Sequence, residues 1–165
     1  MKKYIKEYIP YIIIVVLVVL IRTYIATPII VNGDSMDKTL QNGELMILNK
    51  ITPKYNGYKR FQIVVIKELN THIIKRIIGL PGETITYEEG ILYVNGKKME
   101  DPYAGDYIIS DVNTTLAADE YFVLGDNRPI SNDSRYEAIG NIKEKDIMGT
   151  ASLVLFPFNK IGFVK

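Results

Sequence analysis

Hydrophobic and polar positions divide the chain into one long apolar segment at the N-terminus and many short apolar runs after it. The long segment carries no charge over Tyr8–Ile21, and it widens to Tyr4–Ile25 if Lys6 and Arg22 extend their charged ends toward water. As a helix it would be roughly 33 Å long, enough to cross a bilayer. The pattern therefore predicts a transmembrane anchor over residues 8–25.

Two alternatives to an anchor stay open on the sequence alone. A cleaved signal peptide has a similar basic head and apolar core, but cleavage after Ala26 would put the bulky Tyr24 where a small residue is needed. A buried helix of a soluble domain would also be apolar. Lysines before the span outnumber the single Arg22 close behind it, so the positive-inside rule predicts that residues 1–7 are cytoplasmic and residues 26–165 lie outside.

Beyond the anchor, the pattern changes to short runs of β-branched and apolar residues separated by turn residues, which is typical of antiparallel β structure. The runs read TPIIVNG, ELMILNK, FQIVVIK, THIIKRIIG and EYFVLGD. Asn95-Gly96 is a strong hairpin signal, because both positions tolerate a positive φ. The more polar stretch over residues 84–116 predicts a small hairpin excursion, a possible subdomain of a mainly β domain.

Composition narrows the range of functions. The chain has 165 residues, a formal net charge of +1, no cysteine and one histidine. Its length fits one domain besides the anchor. The near-neutral charge argues against a nucleic-acid partner, which would need a basic face. Without cysteine, disulfides, thiol catalysis and Cys-ligated zinc are excluded, and a single histidine excludes a His-rich metal site.

The run THIIKRIIG places a lysine on an apolar face. Alternate residues of a strand share a face, so Lys75 lies with Ile73 and Ile77 while Arg76 points the other way. Burial disfavours a charged lysine, and moving its pKa from about 10.4 to near 7 corresponds to roughly 4–5 kcal/mol. A neutral lysine can deprotonate a serine. The more common alternative is a lysine whose stem packs on the sheet while its ammonium reaches water.

A serine lies in the loop VNGDSMDKTL, directly after the apolar N-terminus. Most serines in such loops are turn residues, and a nucleophilic Ser35 would need a base. His72 is the only histidine, but it starts its strand on the face opposite Lys75, and no nearby carboxylate is visible to orient it. A surface histidine is therefore predicted, and Lys75 is the candidate base.

The polar stretch LGDNRPISNDSR follows a predicted strand. Asp126, Arg128, Asp133 and Arg135 alternate in sign, which predicts a loop held by ion pairs. The Asp-Asn-Asp spacing resembles that of a calcium loop. Arg128 and Pro129 stand where ligands and a tight turn are needed, however, so metal binding is not expected.

Together, GDSMDKTL, IIKRIIGLPGE and GDNRPISNDSR resemble in order and spacing the three motifs of type I signal peptidases, the membrane-bound Ser-Lys proteases that remove signal peptides. The single N-terminal anchor resembles the Gram-positive-type enzymes. The resemblance implies an antiparallel, partly barrel-like β domain in which Ser35 is the nucleophile and Lys75 serves as general base and then general acid. It implies no cofactor and no metal. The implied partners are preprotein signal peptides and the lipid bilayer, with the secretory translocase as a further candidate.

Further roles come from the same resemblance. Ser131 would hydrogen-bond and orient the lysine ammonium, and the Ser35 backbone N–H would help to stabilise the acyl oxyanion. Met36 resembles an apolar surface close to the membrane and the substrate. The framework of ion pairs around the site would consist of Arg76, Asp126, Asp133 and Arg135.

Substrate pockets and lipid contacts are less well defined. The family accepts small residues at the −1 and −3 positions in shallow apolar pockets, for which Val31 and Ile74 are candidate walls. Phe156, Phe158 and Phe163 either touch lipid or pack in the core.

Two departures from the family pattern bear on substrate range. Lys38 stands where the nucleophile motif usually has proline, and Phe61-Gln62 replaces a usual Gly-Asp before the lysine strand. The leading hypothesis is a signal peptidase that acts on exported preproteins. A relative that processes a narrow set of exported proteins is the second hypothesis, motivated by Lys38. A non-catalytic anchored domain that binds signal peptides or scaffolds the translocase is the third.

Overall fold

The apolar segment forms helix α1, Lys2–Leu20, which passes through Pro10 and continues as a π-helical turn, Ile21–Ile25. Tyr8–Ile25 is long and apolar enough to cross a membrane, and none of it is buried against the residues that the structure describes. This exposure argues against a core helix of a soluble domain. Side chains are described from Tyr8 onward, and the computed structural model describes residues 2–51, 55, 57–68, 71–105, 107 and 109–164.

The helix joins the first strand without a linker. Thr27 Oγ1 donates to the Arg22 carbonyl at 2.8 Å, and the Lys50 backbone N–H donates to the Ile25 carbonyl at 3.0 Å. Lys50 Nζ also lies 3.4 Å from the Arg22 carbonyl oxygen and 3.2 Å from that of Thr23. An ammonium at a helix C-terminus meets unpaired carbonyls and the negative end of the helix dipole, so the helix end is fixed to the β domain.

The residues after the helix form β-strands, as the apolar runs predict. Every strand pairing is antiparallel. The described residues contain twelve strands: β1 Ala26–Ile30, β2 Leu45–Asn49, β3 Ile63–Glu68, β4 Thr71–Gly79, β5 Thr84–Glu88, β6 Ile91–Val94, β7 Lys97–Met99, β8 Val112–Thr115, β9 Glu120–Leu124, β10 Ile142–Lys143, β11 Ile147–Phe156 and β12 Gly162–Phe163.

Eight strands form the main sheet, in the order β1-β2-β11-β3-β4-β9-β10, with β12 also paired to β11. The sheet curls, because Val31 after β1 and Ile74 of β4 belong to one buried cluster although three strands lie between β1 and β4. Within the described residues β1 and β10 are the two edges and do not pair with each other. The mainly antiparallel β fold is thus confirmed, as a curled sheet that does not close into a barrel.

Strands β5 to β8 form a second sheet, in the order β7-β6-β5-β8. Asn95 and Gly96 make the β6–β7 turn with φ values of 52° and 74°, as their sequence predicts. Ile85 of this small sheet packs in one cluster with Ile78 and Phe122 of the main sheet. The excursion therefore shares a hydrophobic core with the main sheet.

Candidate active site

Strand β4 buries two consecutive cationic residues. Its pairing with β3 places Lys75 opposite Val64 and Arg76 opposite Ile63. Lys75 is only 3% exposed, and Arg76 is fully buried. The Lys75 side chain is therefore buried, and the alternative of a lysine whose ammonium extends into bulk solvent is wrong.

Lys75 Nζ donates a hydrogen bond to Ser131 Oγ at 3.0 Å, and Ser131 is itself buried. Burial lowers the pKa of Lys75; the Asp133 carboxylate opposes this shift and the Arg135 cation adds to it. The loss of solvation outweighs the attraction of the carboxylate. Lys75 can therefore accept a proton from a hydroxyl at a lower pH than an exposed lysine.

Ser35 lies in a half-buried turn shortly after β1. Its carbonyl accepts a hydrogen bond from the Asn127 N–H at 2.9 Å, and Asn127 Nδ2 donates to the Asp34 carbonyl at 3.1 Å. The Ser35 hydroxyl makes no hydrogen bond to another residue that the structure describes. The loop after β9 thus fixes the turn and leaves the Ser35 hydroxyl available.

Gly125 is the point at which the Ser35 turn meets the hydrogen-bond partner of the lysine. A β-carbon at this position would lie 2.5 Å from the Ser35 carbonyl oxygen and 2.6 Å from Ser131 Cβ, with Ser131 Oγ closer still. Ser35 and Ser131 therefore both pack directly against Gly125. Since Ser131 in turn holds Lys75, the three residues to which the resemblance gives catalytic roles converge.

Arg76 and Asp126 form a bidentate ion pair in the protein interior. Arg76 Nε lies 2.8 Å from Asp126 Oδ1, and Nη2 lies 2.6 Å from Oδ2. Arg76 also donates to the Phe61 carbonyl at 2.7 Å and lies 3.3 Å from Thr39 Oγ1. Thr39, in the loop after Ser35, donates to Asp126 Oδ2 at 2.5 Å. This pair therefore links β4 to the loop that carries Ser35.

Arg135 and Asp133 form a second bidentate pair, with Nε–Oδ1 and Nη2–Oδ2 distances of 2.7 and 2.9 Å. Burial opposes the charge of Arg135, but the hydrogen-bonded Asp133 carboxylate outweighs it and raises the pKa of the guanidinium. Asp133 also accepts from the Gly125 N–H at 3.0 Å, and Arg135 donates to the Ser131 carbonyl at 3.1 Å. The pair thus holds the backbone of Gly125 and that of Ser131, the hydrogen-bond partner of Lys75.

A groove of about 230 Å³ lies where the curled sheet brings β1 close to the start of β4. Within the described residues, the groove is bounded by two strand edges that are not paired with a neighbouring strand. β1 is an edge strand of the sheet, and the start of β4 is unpaired on one side because β9 pairs with β4 only from Arg76 onward. Such edges can bind an extended peptide through backbone hydrogen bonds. The groove is lined by Ile29, Ile30, Asn32, Thr71, His72 and Ile74.

Comparison with known proteins assigns this arrangement to a family. The model of the family described as signal peptidase, peptidase S26, matches residues 2–156. The chain belongs to the signal peptidase family. As a member of it, the chain is a serine endopeptidase.

Individual signal peptidases are similar to this chain over most of their length. Signal peptidase I of Bacillus amyloliquefaciens is 42% identical over 165 residues, covering 93% of this chain and 89% of the relative. Signal peptidase I S of Bacillus subtilis (strain 168) is 42% identical over 174 residues, covering 97% and 94%. The crystal structure of a signal peptidase I from Enterococcus faecalis V583 matches with a TM-score of 0.51 at 33% identity, covering 56% of this chain and 95% of that one.

Met36 does not contribute the exposed apolar surface that the resemblance implied. Its side chain is 1% exposed and packs in the core with Val31 and Leu40, so it forms no apolar surface. Its sulfur accepts the Asp126 N–H at 3.4 Å. The reason is the tight turn after Ser35, in which the N–H of Leu40 bonds to the Met36 carbonyl and the loop folds its apolar side chains inward.

The rival base stays on the surface. His72 is exposed, as predicted, and its Nδ1 lies 2.7 Å from the carbonyl oxygen of its own neighbour Thr71.

Three residues near the site were not predicted from the sequence: Gly125, Asp101 and Tyr103. Asp101 and Tyr103 belong to the excursion and contact the buried arginines Arg128 and Arg76. The tight contacts of Gly125 involve residues distant in sequence, and no pattern local to its motif indicated them.

The structure locates the two departures from the family pattern, Lys38 and Phe61-Gln62. Phe61 has a φ of 66°, a left-handed conformation that favours the glycine usual in the family. Its carbonyl receives the Arg76 hydrogen bond, and its ring packs 5.8 Å from that of Tyr103. Lys38 is exposed, and its Nζ would lie 2.8 Å from a β-carbon at Gly105. Both departures therefore lie against the excursion.

Replacement of Ser131 by alanine is expected to lower kcat by about 10- to 100-fold with little change in KM, because a hydrogen bond to a charged group contributes about 1.5–3 kcal/mol. Ser134 is the matched control, a buried serine of the same loop whose Oγ accepts from the Val123 N–H at 3.0 Å. Ser134→Ala is expected to lower the melting temperature and keep kcat. Steady-state cleavage kinetics test both variants, and an unchanged kcat in Ser131→Ala would contradict the orienting role.

Replacement of Gly125 by alanine is expected to lower kcat by about 100-fold, since displacements near 1 Å at a reacting group have such effects. The new methyl group would press on the Ser35 backbone carbonyl, which cannot move aside as a flexible side chain would. Gly162→Ala is the control, because a β-carbon there meets no atom closer than 3.9 Å, and neither Gly125 nor Gly162 has a positive φ that favours glycine. Equal losses of kcat in the two variants would show that packing at Gly125 is unimportant.

Proposed function

We propose that this chain is a membrane-anchored signal peptidase that cleaves signal peptides from exported preproteins, with Ser35 as nucleophile and Lys75 as general base. The observation that carries the proposal is a buried lysine of lowered pKa, hydrogen-bonded to Ser131 beside the Ser35 turn. Membership of the signal peptidase family supports signal-peptide cleavage as the reaction.

In the proposed mechanism the neutral Lys75 amine takes the Ser35 hydroxyl proton as Oγ attacks the scissile carbonyl. The Ser35 backbone N–H stabilises the oxyanion, and Gly33 has no side-chain donor to add. The Lys75 ammonium then protonates the leaving amine of the mature protein, which leaves the signal peptide as an ester of Ser35. Lys75 next takes a proton from water, which attacks the ester, and returns that proton to the Ser35 oxygen.

The groove between β1 and β4 is proposed to hold the end of the signal peptide as an added strand. Alternate side chains of a strand point the same way, so the −1 and −3 side chains would face one wall of the groove. Ile29 and Ile74 make part of the lining apolar, and the small volume favours small side chains. Val31, the other predicted wall, is not part of this lining and packs in the core.

The helix is proposed to be the membrane anchor, with residues 1–7 cytoplasmic and residues 26–165 outside. The aromatic side chains of Phe156, Phe158 and Phe163 are 49%, 78% and 79% exposed, which excludes core packing for them and supports contact with lipid.

The orientation of the anchor can be tested by labelling a single cysteine. Because the chain has no cysteine, one Lys98→Cys substitution on the exposed strand β7 reports the side of the membrane on which the β domain lies. A membrane-impermeant maleimide is expected to label it in intact cells; labelling only after lysis would reverse the proposed topology.

Cleavage of a purified preprotein by the full chain in detergent or liposomes tests the function. The precursor carries an Ala-x-Ala site, and the expected product begins directly after the −1 alanine, as determined by mass spectrometry. A matched precursor with tyrosine at −1 is expected to stay uncut.

Two different outcomes would replace the proposal. If the chain leaves the Ala-x-Ala precursor intact but cuts it after Lys38→Pro, the chain is a narrow-range peptidase. If a folded chain binds precursors and cuts none of them, with or without Lys38→Pro, it is the non-catalytic binding protein of the third hypothesis.

A further inference from the structure

The loop between β7 and β8 of the small sheet contacts two fully buried arginines of the main domain. Both carboxylate oxygens of Asp101 accept from Arg128, with Nη1–Oδ2 and Nη2–Oδ1 distances of 2.6 and 3.1 Å. The ring of Tyr103 lies over the guanidinium of Arg76, with its centroid 3.4 Å from Cζ. One loop outside the three sequence motifs therefore contacts two arginines, Arg128 and Arg76, that support the proposed pair of Ser35 and Lys75.

Asp101 is held firmly in this position. The Tyr87 hydroxyl donates to its Oδ2 at 2.7 Å, and the Tyr103 N–H donates to its Oδ1 at 3.1 Å. Its side chain is 4% exposed. Burial opposes the charge of Asp101, but the hydrogen-bonded Arg128 outweighs burial and lowers the pKa of the carboxyl. The small sheet thus presents a charged acceptor at a fixed place.

From Arg128 the contacts continue to the dyad. Arg128 Nε donates to the Gly125 carbonyl at 3.0 Å, and the Arg128 carbonyl accepts from Arg135 Nη2 at 2.8 Å. Gly125 is the residue against which both Ser35 and Ser131 pack. A displacement of Arg128 would therefore move the backbone that separates the nucleophile turn from the partner of the lysine.

Tyr103 reaches the same site by a second route. Its ring packs on Phe61 and on Arg76, and Arg76 bonds to Asp126 and lies close to Thr39 in the nucleophile loop. Cation–π contacts are strongest where the cation is desolvated, and Arg76 is fully buried. Loss of the ring would leave a space beside Arg76 and loosen its hold on the nucleophile loop.

We propose that Asp101 and Tyr103 are positioning residues for peptide cleavage, through which the small sheet sets the relative placement of Ser35 and Lys75. The inference rests on the proposed function of Ser35 and Lys75 and extends it to a part of the chain outside the motifs. Neither Asp101 nor Tyr103 lines the groove between β1 and β4. Their loss is therefore expected to lower kcat and leave KM nearly unchanged.

Steady-state cleavage of the Ala-x-Ala precursor by full-chain variants tests the inference. Asp101→Asn is expected to lower kcat by about 10- to 100-fold, and Tyr103→Leu by about 3- to 10-fold, with KM within about 3-fold of wild type. Asp101→Glu and Tyr103→Phe keep the carboxylate and the ring, and each is expected to restore most of the lost rate. Asp111→Asn is the matched control, an exposed aspartate directly before β8 whose carboxylate, among the described residues, accepts only from the Glu89 N–H.

The outcomes separate this inference from the function on which it rests. Folded Asp101→Asn and Tyr103→Leu variants with wild-type kcat, alongside an inactive Ser35→Ala, would overturn the inference alone. Cleavage that persists in Ser35→Ala would overturn the proposed function and this inference with it. If Asp101→Asn does not fold, the comparison of Tyr103→Leu with Tyr103→Phe decides, and equal kcat values would refute the positioning role.

Discussion

Ser35→Ala and Lys75→Met are each expected to lower kcat for preprotein cleavage by about 10⁴-fold or more, the scale seen when a nucleophile or its base is removed. The two residues act as one unit in the proposed mechanism, so the double variant is expected to be no slower than either single variant. Single-turnover cleavage of the Ala-x-Ala precursor measures these rates. Additive losses in the double variant would show that Ser35 and Lys75 act independently.

The pH dependence of cleavage tests the role of Lys75 more directly. A base must be unprotonated, so the rate is expected to rise with pH through the pKa of Lys75, which burial places below that of an ordinary lysine. Lys75→Arg keeps a positive charge that cannot be lost in this range, and it is expected to be inactive at every pH. A rising limb at the pKa of an exposed lysine, about 10.4, would contradict the buried base.

Stability measurements distinguish lost chemistry from lost folding. The folded-state pKa of Lys75 lies below its unfolded-state value, so wild-type stability is expected to increase as pH rises from the folded pKa toward about 10.5. Lys75→Met lacks this dependence, and at neutral pH it is expected to melt at or above the wild-type temperature. Lys67→Met, on the exposed end of β3, is the control and is expected to change neither kcat nor the pH dependence.

Asp126→Asn is expected to destabilise the fold by about 3–5 kcal/mol, the effect of leaving a buried charge without its partner. Arg76 is fully buried and Asp126 is 1% exposed, so water cannot replace the lost carboxylate charge. For a chain of this size the melting temperature is expected to fall by roughly 10–20 °C. Thermal unfolding in detergent measures the shift, and exposed Asp119→Asn is expected to change it little.

A double-mutant cycle checks the cause of that loss. In Arg76→Met/Asp126→Asn both charges are gone, so the double variant is expected to be more stable than Asp126→Asn alone. Its kcat is nevertheless expected to stay low, because the link from β4 to Thr39 is lost with the arginine. A double variant less stable than both single variants would contradict an unpaired buried charge as the cause.

The sequence predicts those parts of the site that depend on local periodicity. Strand alternation indicated that Lys75 shares an apolar face with Ile73 and Ile77, and the resemblance supplied Ser131 as its partner. Alternation could not show that Arg76, on the other face, is buried as well. Its burial depends on β9 and the excursion, which arrive from distant parts of the chain.

The surface implied for Met36 and the omission of Asp101 have the same cause, which is contacts between residues distant in sequence. The resemblance implied an apolar surface at Met36, whereas its direction is decided by the turn in which the Leu40 N–H bonds to its carbonyl and by the hydrogen bond from the Asp126 N–H to its sulfur. Asp101 lies in a stretch that reads as an ordinary polar turn. Only the packing of the small sheet on the main one places it against Arg128, which is 27 residues away.

The joint between α1 and β1 has a consequence for the precursors that fit. β1 begins directly after the helical turn and has five residues, so it rises about 17 Å at most. Lys50 and Thr27 fix its base, and with the helix as anchor the groove stands at a set height above the lipid instead of moving on a tether. A signal peptide whose apolar core spans the same bilayer must then carry its cleavage site a set number of residues beyond that core. If α1 is the anchor, as proposed, the joint is expected to restrict cleavage to precursors whose cleavage site lies at a matching distance beyond the apolar core.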